Sequence, residues 1–448
     1  MGNEIFKVGF GRKDITPAMS ATVDSDAYVR LNTGDALTEM RDPIYTTCVA
    51  MNDGEKTVLI FTIDVKIISR GHDMRVRRMI NERTGIPIEN MMLNCMHNHS
   101  VPSPGVPATD AIIKWTEDIF YPACTDAALE AIADLSNAEA YLGGAKATNF
   151  ASVRRYIHED GSFSSIHMRK RSKTPIVDTE TQADDSVRFV RFKREGKKDV
   201  LIANWQAHAA TAAATHPGVI TADYVGAFRD RIEKDGEMLA AYYCGASGNI
   251  NLSVKIPERN VCDGDVFKCG KMLGEALLAE IDNVKRIDCK KISARLDYFT
   301  VNHRKIDPER LKKAEEIIGY QLSDPEKFGQ LMDENGFWSP FDVRSTISIS
   351  KYPDTNDLPI GVIACGDIVF ASVPYEMFDT NGIGVREASP YKTTFILTLT
   401  GDCLGYVPSA LSVKNGGFEC YMSIFEYGTA EKVEQKLKEM IGEIYIEK

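Results

Sequence analysis

The sequence lacks the features of a secreted, membrane-bound or nucleic-acid-binding protein. Its start runs directly into an alternating, strand-like stretch instead of a basic segment followed by an apolar one, and no apolar run is long enough to span a bilayer. No dense tract of lysine and arginine occurs, and 53 basic against 64 acidic residues give a formal charge of -11. We therefore expect no signal sequence, no membrane anchor, no nucleic-acid partner and a cytoplasmic location.

The ten cysteines lack the spacing of a zinc knuckle or a thioredoxin-type redox site, because the sequence contains no Cys-x-x-Cys pair. Most of them stand inside apolar segments, where a free cysteine behaves as a small buried hydrophobe. Among them are Cys48, Cys95, Cys124, Cys244 and Cys365. The pattern favours reduced thiols in the core over a disulfide framework.

What the sequence does contain is the composition of an ordinary globular protein, with 44% hydrophobic and 26% charged residues over 448 positions. Alternating apolar runs around turn residues predict two β-hairpins, 45–51 with 57–64 and 186–193 with 199–206. Helical periodicity predicts helices at 72–84, 110–135, 223–235, 263–281, 308–322 and from 429. Further apolar runs predict strands at 239–244, 292–301, 360–373 and 393–399.

Helices and strands that alternate irregularly predict a mixed α/β fold with antiparallel as well as other pairings, and no clean linker interrupts them. We expect a single large domain over residues 1–448. The interval 164–185 is poor in apolar residues, basic at its start and acidic at its end. It is interpreted as a solvated loop, with a flap that covers the substrate as the alternative.

An apolar run that ends in Met96-His97-Asn98-His99-Ser100 is the most informative segment for function. If the strand continues through His99, the two imidazoles project from the same face, which suits a metal ion at the end of a sheet. A proline- and glycine-rich loop follows, and active sites are commonly built on such loops. A His-x-His pair alone does not distinguish a metal site from surface or core histidines.

Three other candidates also stand where apolar strands end. His208 follows the strand 199–206, in Ala207-His208-Ala209. Glu376 follows the strand 360–373, and Tyr406 follows the strand 393–399. Taken singly, Glu376 is interpreted as an acid at the start of a helix and Tyr406 as a core aromatic residue. Neither residue alone indicates a metal site, and only their combination with the histidines does.

Taken together, these segments resemble the neutral/alkaline non-lysosomal ceramidases, a family of zinc amidases that hydrolyse the amide bond of ceramide. The similar segments follow one another in the family's order along most of the chain. They are Val8 to Pro17 (the glycine-rich start), Met96 to Ser100, Asn204 to Thr211, Thr221 to Gly226, Val373 to Glu376 and Tyr406 to Ser409.

The resemblance implies a zinc site held by His97, His208, Glu376 and Tyr406. Two imidazoles, one carboxylate and a weak phenol ligand would leave room for a water molecule whose pKa the metal lowers. The resemblance also implies that His99 acts beside the metal.

In the resemblance, the family's catalytic arginine corresponds to Arg154, which would stabilise an oxyanion. Arg155 is the substrate-binding alternative if the alignment shifts by one position. From its position at the end of the strand 59–64, Asp64 is expected to orient a ligand histidine.

The sequence departs from the family pattern in ways that bear on the substrate. Asn251 stands where ceramidases have a serine, so we expect it to contact a substrate other than ceramide. Only a short segment follows Tyr406, too short for the family's C-terminal immunoglobulin-like domain of about 100 residues. These departures predict a soluble small-molecule substrate instead of a membrane lipid.

The predicted function is a zinc-dependent hydrolase that cleaves an amide, or a related ester or glycosidic bond, of a soluble small molecule. The alternatives are a metal-dependent lyase or isomerase that acts on a sugar derivative and a non-catalytic binding protein with the same fold. A serine hydrolase is a further alternative, because Gly245-Ala246-Ser247-Gly248-Asn249 approximates a nucleophile elbow, with His303 as the only histidine after His216.

Overall fold

The structure is a computed structural model and describes residues 6–17, 37–168, 172–252 and 260–446. In these residues the strands, β1 to β22 in chain order, are Lys7–Asp14, Glu39–Met40, Tyr45–Asn52, Thr57–Ile63, Met91–Cys95, Ser136–Lys146, Ser152–Val153, Arg155–His158, Phe163–Ser165, Ile176–Thr179, Ser186–Arg194, Asp199–Trp205, Val219–Ile220, Met238–Cys244, Ile250–Asn251, Lys285–Ile287, Ile292–Asn302, Thr355–Cys365, Ile368–Ser372, Glu376–Met377, Thr393–Leu397 and Tyr406–Val407. The helices, α1 to α14, are Arg70–Thr84, Asp110–Trp115, Tyr121–Ala133, Thr211–Thr215, Asp223–Glu233, Val266–Ala279, Pro308–Ile318, Tyr320–Ser323, Pro325–Glu334, Pro340–Ile349, Asp379–Ala388, Ala410–Asn415, Phe418–Met422 and Thr429–Ile446.

A nine-stranded sheet lies at the centre, in the order β14-β12-β11-β6-β1-β3-β4-β5, with β16 paired to β6. Most neighbours are antiparallel, but β4 with β5 and β12 with β14 are parallel. Strands β3 and β4 are buried on both faces, which explains why they read as nearly continuous apolar runs. A sheet buried on both faces requires a covering layer on each side.

A four-stranded sheet, β17-β18-β19-β21, covers one face of the central sheet. Val49, Ile60 and Ile202 of the central sheet belong to the same buried apolar cluster as Ile363 and Phe370 of the smaller sheet. Full burial of such a side chain contributes about 1.5–3 kcal/mol relative to its exposure. This apolar layer therefore holds the two sheets together.

Helices form the two outer layers. On the central sheet, α1 and α3 pack over β3 and β4, and α5 and α6 pack over β12 and β14. On the small sheet, α11 and α14 cover the outer face. Helices α7 to α10, inserted between β17 and β18, have a small apolar cluster of their own. The result is the predicted mixed α/β fold class, in four layers.

Two glycines of the N-terminal segment allow α3 to lie directly on β1. A Cβ at Gly9 would stand 1.9 Å from the carbonyl oxygen of Ala131, and one at Gly11 would stand 2.1 Å from that of Ala127. Both distances are far below any real contact, so any larger side chain would push α3 off the sheet.

The structure confirms both predicted hairpins and shows where the other predictions were too coarse. The helix predicted at 110–135 is divided by a π-helical turn, Thr116–Phe120. The strand predicted at 360–373 is a hairpin, β18 and β19, whose turn contains Gly366 at a φ of 53°. All ten cysteines are free thiols, and nine are buried.

The interval 164–185 was wrongly predicted to be loop throughout, because β10 pairs with β8 in a small antiparallel sheet. Its basic residues at 169–171 lie outside the described residues, and the flap alternative stays a prediction. In the described part of the chain, none of the helices combines the length and the hydropathy needed to cross a membrane.

Candidate metal centre

Three parallel strand pairs, β4 with β5, β12 with β14 and β20 with β22, bring the candidate ligands to one place. His97 follows β5 and His208 follows β12, both in the central sheet. Glu376 begins β20 shortly after β19, and Tyr406 begins β22. Strands β20 and β22 pair in parallel so that Glu376 lies beside Tyr406. Ligand sites commonly form where the carboxyl ends of strands meet, and here the ends come from both sheets.

A buried amide ties these strand ends together. The Nδ2 of Asn94, in β5, donates to the carbonyl oxygen of Thr398, and its Oδ1 accepts from the backbone N–H of Cys244 at 2.9 Å. Asn94 is fully buried, so loss of either partner would leave a polar group without water. The amide thereby fixes the end of β5, from which His97 projects, against the small sheet.

The acceptor cluster, defined here as His97, His208 and Glu376, consists of side chains that point their lone pairs at one another. His97 Nδ1 lies 3.2 Å from the carbonyl oxygen of Lys66, and His208 Nδ1 lies 2.7 Å from that of Ser247. A carbonyl can only accept, so each Nδ1 carries a proton, and a neutral ring then leaves its Nε2 bare. Both Nε2 atoms face Glu376 Oε2, at 3.3 Å and 2.8 Å.

The surroundings favour these protonation states. Burial, followed by the nearby Arg154, lowers the pKa of His208 to about 3, so its ring is neutral. Burial alone would raise the pKa of Glu376, but His97 and His208 more than offset this and hold it well below its usual value. The chain thus presents a neutral imidazole at His208 and an ionised carboxylate at Glu376, the states that metal ligands require.

The side chain of His99 also points toward the acceptor cluster. Its Nε2 lies 3.1 Å from His97 Nε2, and the ring nitrogens of His97, His99 and His208 are within 4.8 Å of one another. Burial and the charge of Lys66 hold the pKa of His99 well below its usual value. The structure therefore brings together the His-x-His pair and the later histidine, although His97 adopts a left-handed φ of 55° instead of continuing the strand.

Tyr406 and Arg154 form the opposite wall. The Tyr406 ring stacks on that of His208, with centroids 6.5 Å apart and 18° between the planes. The Arg154 guanidinium lies 5.4 Å from the Tyr406 ring centre. Burial, reinforced by Glu376, raises the pKa of the Tyr406 phenol well above its usual value. In the chain by itself, Tyr406 is a neutral phenol.

Comparisons with known proteins bear on the fold. No protein-family model and no curated protein sequence matches the chain. Solved structures do match it. A ceramidase complexed with C2 superposes with a TM-score of 0.72 at 13% identity, over 98% of this chain and 75% of that one. Neutral ceramidase from Pseudomonas aeruginosa superposes with a TM-score of 0.69 at 13% identity, over 98% and 74%.

The chain has the neutral ceramidase fold. The likeness extends along the whole described chain and confirms the fold that the sequence motifs implied. At 13% identity it concerns the fold alone. Any statement about activity must therefore come from the side chains of the site.

Within this ceramidase-like fold, Asp64 does not orient a ligand histidine as expected. Its two carboxylate oxygens accept from the Arg229 guanidinium at 2.7 Å and 2.6 Å, and one of them also accepts from the backbone N–H of Tyr45. The group that fixes the His97 ring is instead the Lys66 carbonyl, two residues further on. Asp64 links α5 to the end of β4, so its role is structural.

Arg155 and Asn251 lie on either side of Arg154. The Arg155 side chain is fully buried, and its donors go to Glu180, Glu419 and two backbone carbonyls, so it faces away from the acceptor cluster. Asn251 is partly exposed, and its Oδ1 accepts from Arg154 Nη1 at 3.2 Å. Of the two proposed substrate-binding residues, Asn251 is the one that remains beside the site.

Ser247 has the surroundings of a structural residue. Its carbonyl accepts from His208, and its buried hydroxyl lies 3.4 Å from the Cys244 sulfur. His303 Nδ1 instead donates to the carbonyl oxygen of Pro353 and packs against Phe425. Among the described residues, no histidine nitrogen hydrogen-bonds the Ser247 hydroxyl, so the geometry of a serine nucleophile is missing.

The sequence reasoning missed two charged residues of the site, Lys66 and Glu419. Lys66 is 8% exposed and lies next to His99 and His97. Glu419 is completely buried against Arg154 and Arg155. The available signal was the placement of each charge in an apolar context, since Lys66 follows the strand Thr57–Ile63 and Glu419 stands between Phe418 and Cys420.

Proposed function

We propose that the protein is a zinc-dependent hydrolase that cleaves an amide bond, or a related ester or glycosidic bond, of a soluble small molecule. His97, His208 and Glu376 hold the metal with Tyr406 as a weak additional ligand. His99 and Arg154 act on the substrate, and Asn251 contributes to its binding. We further propose that residues 1–448 form a single domain and that the protein works in the cytoplasm.

The observation that carries this proposal is the convergence of lone pairs in the acceptor cluster. Two imidazole nitrogens within 2.8 Å and 3.3 Å of one carboxylate oxygen require a positive charge between them, which either a proton or a metal ion supplies. Burial prevents water from screening the repulsion among these groups. A divalent cation satisfies all three groups at once, and two imidazoles with one carboxylate are a common zinc donor set. The residues present therefore fit the metal.

Zinc in this position would supply Lewis acidity, which polarises a carbonyl group and lowers the pKa of a water molecule toward neutrality. The closed donor set with a phenol at its edge also suits zinc better than magnesium or calcium, which prefer oxygen ligands.

His99 and Arg154 supply the remaining functions. The Nε2 of His99 is close enough to the cluster to take a proton from an attacking water or to give one to a leaving nitrogen or oxygen. The Arg154 guanidinium is charged because Tyr406, Glu419 and Glu376 outweigh the effect of burial and raise its pKa. A fixed guanidinium at the wall of the site suits the negative charge that develops on a carbonyl oxygen.

Metal content and the source of oxygen in the product test the proposal. We expect about one equivalent of zinc in the purified protein, and less than about a tenth of an equivalent of any divalent metal would contradict it. In H₂¹⁸O, a hydrolase incorporates one labelled oxygen into the acid product. A lyase or isomerase incorporates none there, and a binding protein forms no product.

A substrate panel makes this test specific. It would contain N-acyl amino acids, N-acetylated amino sugars, p-nitrophenyl esters and a short-chain ceramide. Because Asn251 occupies the position of the ceramidase serine, we expect turnover of a polar amide or ester and little turnover of ceramide. Efficient ceramide hydrolysis would contradict the proposed substrate class and leave the metal mechanism standing.

A further inference from the structure

Arg154 and Arg155 are adjacent in sequence, and a single carboxylate joins their side chains. Glu419 Oε1 accepts from Arg154 Nε at 2.9 Å, and Glu419 Oε2 accepts from Arg155 Nη1 at 3.0 Å. Arg155 also pairs with Glu180, at 2.6 Å and 3.0 Å. These four residues are called the arginine–carboxylate network below. It contains two positive and two negative groups and is therefore balanced in charge.

Burial makes this balance necessary. The side chains of Glu419 and Arg155 are completely buried, and that of Arg154 is 4% exposed. A buried charge that loses its partner costs several kcal/mol, whereas a fully paired group is tolerated. Each member of the network is thus held in one orientation by the others.

The chain approaches Arg154 through a turn at Gly416 and Gly417, whose backbone conformation only glycine adopts readily. Gly416 and Gly417 have φ values of 68° and 97°, and a Cβ at Gly417 would lie 2.7 Å from the Ser165 hydroxyl oxygen and 3.0 Å from Arg155 Nη1. The next residue, Phe418, donates its backbone N–H to the same hydroxyl at 2.9 Å. This turn delivers the Glu419 carboxylate between the two guanidinium groups.

All three nitrogens of the Arg154 guanidinium donate to groups of the protein. Besides Nε on Glu419, its Nη2 donates to the carbonyl oxygen of Gly248 at 2.8 Å and its Nη1 to Asn251 Oδ1 at 3.2 Å. The same guanidinium lies 5.4 Å from the centre of the Tyr406 ring. Among the described residues Glu419 is the ion-pair partner of Arg154, so the charge-assisted contact at Nε is the strongest of those that fix its orientation.

We propose that Glu419 is a positioning residue, which orients the Arg154 guanidinium toward the substrate without touching the substrate itself. The geometry stands by itself, and the kinetic consequence rests on the proposed hydrolase function. A catalytic group displaced by about 1 Å can lose about 100-fold in rate, so the effect should fall on kcat more than on KM.

The test compares Glu419→Gln with Glu180→Gln. Both substitutions remove one negative charge from the arginine–carboxylate network and both affect Arg155, but only the first removes the charged partner of Arg154. Two measurements are made on the full chain loaded with zinc. One is the Arg154 Nε–H resonance in arginine-labelled protein, identified by its absence in Arg154→Lys, and the other is hydrolysis of p-nitrophenyl acetate.

We expect Glu419→Gln to shift the Nε–H resonance and speed its exchange with water, and to lower kcat by about 10-fold to 100-fold with little change in KM. Glu180→Gln should leave both readouts close to those of the wild type. An unshifted resonance in Glu419→Gln, or equal kinetic losses in the two variants, would overturn the proposal.

If Glu419→Gln does not fold, Glu419→Asp keeps the charge but cannot reach both guanidinium groups. The proposal then requires an altered Nε–H resonance with an intermediate loss of kcat. If the wild type fails to hydrolyse any ester or amide, the hydrolase function is contradicted, while the resonance still decides whether Glu419 holds Arg154.

Discussion

Two buried polar clusters lie next to each other and differ in what they contain. The acceptor cluster has two bare imidazole nitrogens and a carboxylate, all of them lone-pair donors. The arginine–carboxylate network has equal numbers of cations and anions, each with its hydrogen-bond partner. Burial is nearly complete in both. The acceptor cluster needs a positive charge among its three groups, either a proton or a metal ion, whereas each charge of the network has its counter-charge in the chain.

This difference gives a physical criterion for separating a binding site from a structural feature. Burial and polarity mark both clusters equally, so neither property identifies function. The balance of donors and acceptors does, because a buried set of acceptors has no reason to persist unless a ligand compensates it. The predictions below alter one cluster or the other.

The largest expected effect is the loss of activity in His208→Ala. Removal of one of the two bare nitrogens should abolish stoichiometric zinc binding and lower kcat by about 10³-fold, since a metal centre supplies several kcal/mol of transition-state stabilisation. His216→Ala is the matched control, because His216 is an exposed histidine near the same strand end. Metal analysis and single-substrate kinetics check both variants. Activity in a metal-free His208→Ala protein would contradict the interpretation of the acceptor cluster as a catalytic metal site.

Removal of the metal should produce a loss of stability that is specific to the acceptor cluster. With free zinc at about 1,000 times its Kd, binding stabilises the folded chain by about 4 kcal/mol. Denaturant unfolding with zinc and with a chelator measures this difference. We expect it to vanish in His208→Ala. If zinc raised the unfolding free energy of His208→Ala by the same amount, zinc would be stabilising the protein by binding at another site.

Arg154→Lys should affect activity and stability together. The lysine keeps a charge but cannot bond Glu419, Gly248 and Asn251 at once, so we expect kcat to fall by about 100-fold. The metal-free protein should also lose stability, because Glu419 is left with one partner. By contrast, His208→Ala should reduce the stability of the metal-free protein less. Chemical unfolding of the two metal-free variants decides between these outcomes.

The smallest effect concerns a single buried carboxyl, Asp379. Its Oδ1 accepts from Asn249, while its Oδ2 has no partner among the described residues. Burial raises its pKa from 3.8 to about 6. Because the folded chain prefers the protonated form, the stability that this group contributes is full below pH 3.8 and is lost as pH rises through about 6.

Asp379→Asn should therefore flatten the pH dependence of stability. Between pH 5 and pH 8, the wild type should lose about 1 kcal/mol more than the variant. Unfolding free energies at the two pH values measure this. An equal loss in both proteins would show that Asp379 is compensated in the ionised state.

Much of the fold and of the site could be predicted because it depends on local patterns. The hairpin of β3 and β4 follows from alternating apolar residues around Asn52-Asp53-Gly54, and the amphipathic period defines α1, α5 and α14. His97 and His208 were predicted as ligands because each follows the end of an apolar strand, and the structure brings them together.

The remaining features depend on contacts that no local pattern specifies. Asp64 stands next to the site in sequence, but Arg229 lies 165 positions away and takes its carboxylate. Glu419 reaches Arg154 across 265 positions. The division of the strand at Gly366 was missed because both halves are equally apolar, and only the small-sheet pairing determines where the chain turns.

The buried amide of Asn94 has a consequence for how the chain folds. It connects β5 with Thr398, 304 positions later, and His208 meets Glu376 across 168 positions. Contacts of such long range form late, since the entropy of closing the intervening loops is lost before they contribute any free energy. The ligand set is therefore assembled only after both sheets have docked. The uptake of zinc during refolding should accordingly follow the slowest step, whereas helical structure should form earlier.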